Sequence, residues 1–511
     1  MPDFGSDFDF EMRRGMRPAS IGPQRTLFKL VGDTSVAHNL STPMRTLSLV
    51  VLGLAVLLSA CNCGCPPGDA RCNSGVGGGG EGGGQGGGTG GNDPYDRYTL
   101  DPSFSDRFYM DMVVDKTRNR VGVAYFAGRG EIPFTYLPGD AGITIDAGPG
   151  VDAGSYELKY VEWEDGQVRA PQRVDVTRRL VGVSIDFHPT TGEPAIGYLG
   201  GGNDMSVFWD NSDAQLAVRS GGTTWTSSTA ARTGYQVLCG NPVSDNPGGD
   251  IVGLWAAIAY SSTGTLWYCY RDVHSGQYPQ QDWAGSDVEC VNGSPGNWQR
   301  ECVYPAGNMK DGPGGRIDMT MVNDQPCISW DSALGGADTR GQNVQVQCRN
   351  GTVWSSTRAA HTISDTQSGG SIAYDPMEGL GVAAVDLTDN ILRYSKKALA
   401  APNFGFADSV YGDGTGGWFP SLAMDPVAHE PAIAFYVCSP TASQTAANCL
   451  PSYDGVRVTQ RNSVTNDWST PEVVDDVSAT VIRLGFLADG RKVIAYRNRV
   501  GELKLAVRKV P

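Results

Sequence analysis

The chain has 511 residues and a formal net charge of −15, from 40 Lys+Arg against 55 Asp+Glu, with a sequence pI of about 4.8. That balance excludes the basic face expected of a nucleic-acid binder. Glycine (68) and proline (30) are abundant, and long runs of Ala, Leu, Glu and Lys are absent, so the composition predicts strands and turns rather than helices.

Residues 1–43 include Asp3, Asp7, Asp9 and Glu11. Such acidity does not suit the leading region of an export signal, so this stretch reads as a misplaced start ahead of Met44 or as a long leader. Met44-Arg45 then precedes an apolar run, LSLVVLGLAVLL (47–58), which ends in Leu58-Ser59-Ala60-Cys61. The run is shorter than the roughly 20 residues a membrane span needs. A basic start, an apolar middle and small residues before a cysteine resemble the lipobox of bacterial lipoproteins. The resemblance implies that 44–60 is a removed signal peptide and that Cys61 is the lipid-attachment residue. The membrane is then a partner through the anchor and the location is the cell envelope. Asn62, where the best-known sorting rule uses Asp for retention, favours the outer membrane.

The segment 61–94 continues as CNCGCPPGDARCNSG and then GGGGEGGGQGGGTGG. It offers almost nothing to bury and is expected to be a flexible tether with a reach on the order of 30 Å. Cys63, Cys65 and Cys72 form an odd trio within it.

Residues 95–511 are expected to form one large domain. Its eight cysteines are Cys239, Cys269, Cys290, Cys302, Cys327, Cys348, Cys438 and Cys449. An even number in an exported chain reads as disulfides. Sequence does not fix connectivity, and sequential pairing is the simplest reading: 239–269, 290–302, 327–348 and 438–449. A metal site would need clustered Cys and His, whereas His188, His274, His361 and His429 are isolated in sequence.

Strand-like segments recur along this region. RVGVAYF (120–126), EPAIGYL (193–199), LWAAIAYS (254–261), QPCISWD (325–331), GLGVAAVD (379–386), EPAIAFYV (430–437) and RKVIAYR (491–497) are read as equivalent second strands. Most follow a partner across a polar turn rich in Asp, Pro, Asn or Gly, as in PSLAMDPVAHEP (420–431). Third strands follow, and several units add a fourth near a tryptophan. Seven units of three or four antiparallel strands, irregularly spaced, predict an all-β β-propeller, with seven blades preferred over six or eight. The last unit lacks an outer strand, which a segment near Tyr98 to Phe104 could supply to close the ring. A pair of β-sandwich domains is the alternative.

SLAMDPVAHEPAIAFY (421–436) and SIDFHPTTGEPAIGY (184–198) resemble bacterial propeller repeats. They are also similar to the BNR or Asp-box repeats of sialidase-like proteins, although RSGGTTW (219–225) lacks the aspartate and NSVTNDW (462–468) the glycine. A sialidase would need an arginine cluster, a tyrosine nucleophile with its glutamate, and a carboxylic acid. No local motif assigns those roles here, and there is no nucleophile elbow, zincin motif or P-loop. No catalytic residue is therefore named. Asp375-Pro376 and Asp425-Pro426 are read as turn formers. The segment GDAGITIDAGPGVDAGS (139–155) is read as a loop from the first blade, with calcium capture as an alternative, and no other cofactor is implied. A second insertion, 273–313, carries Trp283, Trp298, Cys290 and Cys302; the two tryptophans are candidates for a ligand lip or for a small core beneath it. The expected function is a membrane-anchored propeller that binds a protein or glycan. A glycoside-active enzyme and a structural envelope component are the alternatives.

Overall fold

Apolar residues alternating with Ser, Asp or Ala mark the strand that begins each repeat, and these strands form a ring. The computed structural model describes residues 93–510 apart from 104–108, 128–155 (save Phe134–Thr135 and Thr144–Ile145), 178–181, 202–210, 233–249 (save Cys239), 275–285, 306–312, 333–342, 357, 363–369, 387–390, 413–415, 438–454, 478 and 499–500. The inner strands are Met110–Asp115, Val183–Phe187, Asp250–Tyr260, Pro313–Val322, Ser371–Asp375, Gly416–Met424 and Ala479–Phe486. Each touches the next in succession, and the seventh touches the first. Outward from each inner strand follow a second, a third and an outer strand, all antiparallel, giving a seven-bladed propeller.

The ring closes by strand exchange between the two ends of the domain. Tyr95–Asp101 pairs with Leu503–Arg508, Tyr95 lying opposite Arg508, and so becomes the outer strand of blade 7. The closing strand starts slightly earlier than the sequence suggests. Blades 2 and 3 are also laced directly, since Asn211 and Ser212 pair in parallel with Asp250 and Ile251. Gly253 permits that approach: its φ is +106°, and a Cβ there would lie 2.6 Å from the Ala214 Cα.

A blade is apolar on both faces and cannot cover itself. Seven apolar clusters result, each shared by two neighbouring blades. The cluster of Val183, Ile185, Ile196 and Tyr198 with Phe126, Leu158 and Tyr160, for example, joins blades 1 and 2. This explains why Arg120–Ala127, Gly379–Asp386 and Pro431–Val437 are buried along their whole length.

Polar groups set the register between these faces. A recurring position on the inner strands sends its side chain to the backbone N–H of the next blade. Asp111 accepts from Ile185 at 3.1 Å, Ser184 from Ile258 at 3.0 Å, Asp318 from Ile372 at 3.0 Å, Ser371 from Leu422 at 3.1 Å and Ser421 from Leu484 at 2.9 Å. Arg483 donates to Asp111 at 2.7 Å and completes the circuit. Blade 3 has Ala257 at this position, which offers no such acceptor. The serine heading SLAMD, SIDFH and SIAYD is thus a stitch between blades. A second stitch uses the tyrosine of the second strand. Tyr125, Tyr198 and Tyr496 donate to Asp101, Asp175 and Asp475, each on the outer strand of the preceding blade.

Two sequence readings are corrected. In blade 3, LWAAIAYS belongs to the inner strand rather than the second, and the second strand is Leu266–His274. The supposed insertion 273–313 contains the third and outer strands of that blade, Ser286–Ser294 and Asn297–Tyr304. Tyr270, beside Cys269, accordingly takes the place assigned to Tyr260; in blade 5 Ala384 replaces Val385. The disulfides follow from the same shift. Cys269 pairs with Cys290, directly opposite on the neighbouring strand with a Cα–Cα distance of 4.0 Å, and Cys239 pairs with Cys302 at 5.1 Å. The sequential pairs 239–269 and 290–302 are therefore wrong, while Cys327–Cys348 forms as expected across two strands of blade 4. Cys438 and Cys449 lie outside the described residues.

Ser421→Ala removes the acceptor of the buried Leu484 N–H and leaves it unpaired between blades 6 and 7. The expected loss is about 1–2 kcal/mol of unfolding free energy with an unchanged m-value in a urea titration.

Candidate functional site

Antiparallel order sorts the connections by rim. The inner-to-second and third-to-outer connections fall on one rim, and the remaining two kinds on the other. On the first rim the inner-to-second turns are short, and several are pinned by a side chain at their start. The Oδ1 atoms of Asp115, Asp375 and Asp425 each accept two backbone N–H groups, those of Thr117 and Arg118, Met377 and Glu378, and Val427 and Ala428. His188 does the same through Nδ1 for Thr190 and Thr191. Asp375 and Asp425 are turn formers, as read from sequence, and Asp115 acts in the same way. Strand ends on the second rim border the longest connecting sequences, 128–155, 232–249 and 438–454.

Near the axis the inner strands bring carboxylates together. Asp111 and Asp318 serve the stitches described above. Asp186 stands in blade 2 where the repeat pattern has alanine, as at Ala373 and Ala423. Its carboxylate accepts from the Tyr260 N–H at 2.6 Å and its own Phe187 N–H at 2.8 Å. Burial pushes its pKa up to about 7; the two backbone donors oppose that shift, and Asp111 and Asp115 add to it. A carboxylic acid held near neutrality with another carboxylate close by has the character of an acid/base group. On the first rim Lys116 faces Asp375 and Asp425; burial holds its amine below the usual lysine range despite them. Nothing in the local sequence marks Asp186 except its departure from the alanine of its repeat.

The fold also assembles residue types that a sialidase-like reading requires, at the junction of blades 1 and 2. Tyr160 and Glu162, two residues apart on one strand and so on one face, are hydrogen bonded at 2.6 Å. Arg120 reaches Glu162 at 3.4 Å and Arg219 reaches it at 3.1 Å. Arg219 also donates to Glu193 at 2.5 Å, while Arg120 donates to Asp115 and to the Gly192 carbonyl. Burial raises the Glu162 carboxyl, but the Tyr160 hydroxyl and the two guanidinium groups outweigh it and hold the pKa below its ordinary value. All four side chains are buried, and the arginines are engaged by the protein's own carboxylates. The arrangement recurs. Arg461 and Lys396 each meet Glu378 at 2.9 Å beneath Tyr394, and Arg349 grips Glu301 at 2.8 Å while lying 4.7 Å from the centre of the Trp267 ring. Arg219, Arg349 and Arg461 stand within one residue of the end of a third strand and reach back to the preceding blade. They are ties between blades.

The other sequence candidates are not brought to a common site. Trp298 lies on the outer strand of blade 3, half-buried against the cluster of Tyr268, Tyr270 and Val291. Trp283, Cys61 and most of 139–155 are outside the described residues. Among the described residues no group of three or more His, Cys, Asp or Glu side chains is placed to hold a metal ion.

No protein-family model matches the chain, and no curated protein matches it. Solved structures similar to it are sialidase-like β-propellers and a propeller of unknown function. The Hadza microbial sialidase Hz136 is 13% identical with a TM-score of 0.41, covering 70% of this chain and 73% of that one. A protein of unknown function from Dyadobacter fermentans is 12% identical with a TM-score of 0.42, covering 65% and 94%. A point mutant of NanB sialidase from Streptococcus pneumoniae is 10% identical with a TM-score of 0.41, covering 81% and 71%. At these identities and TM-scores no residue or reaction carries over.

Asp186 gives a pH signature. Its folded pKa lies above its unfolded value, so the folded state binds the extra proton and stability falls as pH rises from about 4 through about 7. Asp186→Asn removes the ionisation. The melting temperature of this variant is expected to exceed that of the parent by about 2–4 °C at pH 8 and to lose that advantage near pH 4; parallel thermal scans across that range check it.

Proposed function

We propose that this chain is a lipid-anchored binding protein of the bacterial cell envelope, attached through Cys61 and engaging a protein or glycan through the rim with the long connections. The observation that carries this reading is the internal pairing of the arginine clusters. In each of the three described above, carboxylates of neighbouring strands or blades take up the guanidinium groups. Among the described residues these clusters therefore act as scaffold rather than as receivers of an anionic substrate. A stiff ring with one rim of pinned turns and another of long, varied connections suits presentation. The tether and the disulfides fit an exported, oxidised setting.

A second reading rests on Asp186. Raised to about 7 and close to Asp111, it has the properties of a general acid in a glycoside-active propeller. Asp186→Asn separates the two, because a glycosidase would lose turnover on aryl glycosides by about 10³-fold or more, whereas a binder would keep its ligand.

The test uses the oxidised full chain on a glycan array and in a pulldown from solubilised envelope. Replacing 128–155 or 438–454 by a short Gly-Ser connection is expected to weaken binding at least about tenfold. Asp186→Asn and Trp298→Ala are expected to leave it unchanged. Binding that survives replacement of every long connection on that rim overturns the proposal.

A further inference from the structure

The first rim, with its short turns, carries an apolar surface that the fold does not require. Phe406 is fully exposed, and Val464, Met377, Val510 and Val427 are 86%, 75%, 72% and 62% exposed; Leu399 is exposed beside them. All belong to turns or the chain end on that rim in blades 5 to 7; Val353, 66% exposed after the third-strand turn of blade 4, lies on the same rim. Direct contacts join the turns of Met377, Val427 and Val464, and Leu399, Phe406 and Val510 lie at strand ends on the same rim. His429 in the turn of Val427 binds Asp375 in the turn of Met377 at 2.8 Å. Glu430 accepts from Ser463 in the turn of Val464 at 2.9 Å. Gly490 of blade 7 lies against Val427, and the 398–407 segment bearing Leu399 and Phe406 is held by the Gly405 N–H bond to the Lys396 carbonyl at 3.0 Å.

Turn chemistry does not explain these residues. Met377, Val427 and Val464 each sit two residues after the Asp or Asn that accepts their N–H. That position points its side chain outward and tolerates polar residues, and blades 1 and 2 have Thr117 and Thr190 there. Three large apolar choices at one exposed turn position, confined to one sector, mark a contact surface.

The occupant follows from where the chain enters the propeller. Tyr95–Asp101 begins on this same rim, where the Lys509 N–H donates to the Pro94 carbonyl at 2.8 Å beside Val510. A lipid at Cys61 therefore delivers this rim to the bilayer first, and the tether keeps the local lipid concentration high. We infer that the first-rim sector of Met377, Leu399, Phe406, Val427, Val464 and Val510 docks on the lipid surface, which turns the long connections outward. This rests on the anchored reading above. Contact is through inserted apolar side chains; with a net charge of −15 the chain gains little from anionic headgroups and docking is expected to resist salt.

The experiment is hydroxyl-radical footprinting of the acylated full chain in phosphatidylethanolamine/phosphatidylglycerol vesicles, against the unacylated Cys61→Ser full chain in buffer. Oxidation of Met377 and Phe406 is expected to fall at least about fivefold on vesicles, at both 0.1 and about 0.5 M salt, while Val176, exposed on an outer strand of blade 1, is unchanged. The Met377→Ser, Phe406→Ser, Val464→Ser variant is expected to stay acylated and to lose protection of the neighbouring Val427. An acylated, membrane-bound chain whose Met377 is oxidised as fast as in buffer overturns the docking and leaves the anchor intact. A chain with no acyl mass on its N-terminal peptide overturns the anchor itself. Protection that instead grows with protein concentration in the Cys61→Ser chain assigns the surface to a second copy and overturns the lipid assignment.

Discussion

Each blade is a sheet that cannot cover its own apolar faces, and the rest of the structure follows from that. Burial occurs only between blades, so the seven apolar clusters are junctions and not separate cores. Hydrophobic contact is non-directional and would let adjacent sheets slide. The inner-strand stitches, the tyrosine-to-aspartate links and the third-strand arginines supply the missing direction. Each acts across a junction, and each leaves a buried partner unsatisfied if it is lost. Closure by Tyr95–Asp101 turns a row of such junctions into a ring with no free end.

Much of this was legible in the sequence because repetition makes weak signals add. The serine of SLAMD and SIAYD, the turn aspartate and the terminal tyrosine each recur; the tyrosine makes its cross-blade link in blades 1, 2 and 7, whereas Tyr270 of blade 3 turns to Glu289 of its own blade. Blade 3 was misread for a specific reason. LWAAIAYS is almost wholly apolar, as an inner strand packed between the inner strands of blades 2 and 4 can be, and so it looks like a second strand. Its true third strand, SDVECVNGS, is polar and cysteine-bearing and looks like a loop. The cysteine pairing failed with it, since pairing by order in the chain assumes the hairpins that the shift removed. Cys327 and Cys348 were placed correctly because their blade is regular. Asp186 was not legible, since one acid in place of alanine is ordinary until the ring brings Asp111 near it.

The charged clusters show how a fold can hold the residue types of an active site without forming one. Tyr160, Glu162, Arg120 and Arg219 satisfy one another within a buried junction, and the hydroxyl and two guanidinium groups outweigh the burial that would otherwise protonate Glu162. Opening that cluster to a substrate anion would unpair Glu162 and separate blades 1 and 2. Burial with the carboxylate already taken up by the protein's own cations is what distinguishes a tie from a site. Asp186 is the reverse case: its environment raises its pKa, and its partners are two backbone donors with no cation among them.

Two rims with opposite requirements then share one ring. Pinning a turn by an Asp or Asn side chain fixes which residues face outward, so an apolar residue at that position cannot fold back to hide itself. Such a residue is a standing cost in water unless another phase covers it, and among the described residues most of that cost falls in the turns of blades 5 and 6 and at the chain end. Stiff turns suit contact with a flat, featureless phase, for which presenting a few fixed side chains is sufficient. Recognition of a shaped ligand needs variety in length and composition, and the longest connecting sequences lie on the opposite rim. The stitched ring makes the division hold, because it keeps the two rims at a fixed separation whatever either one touches.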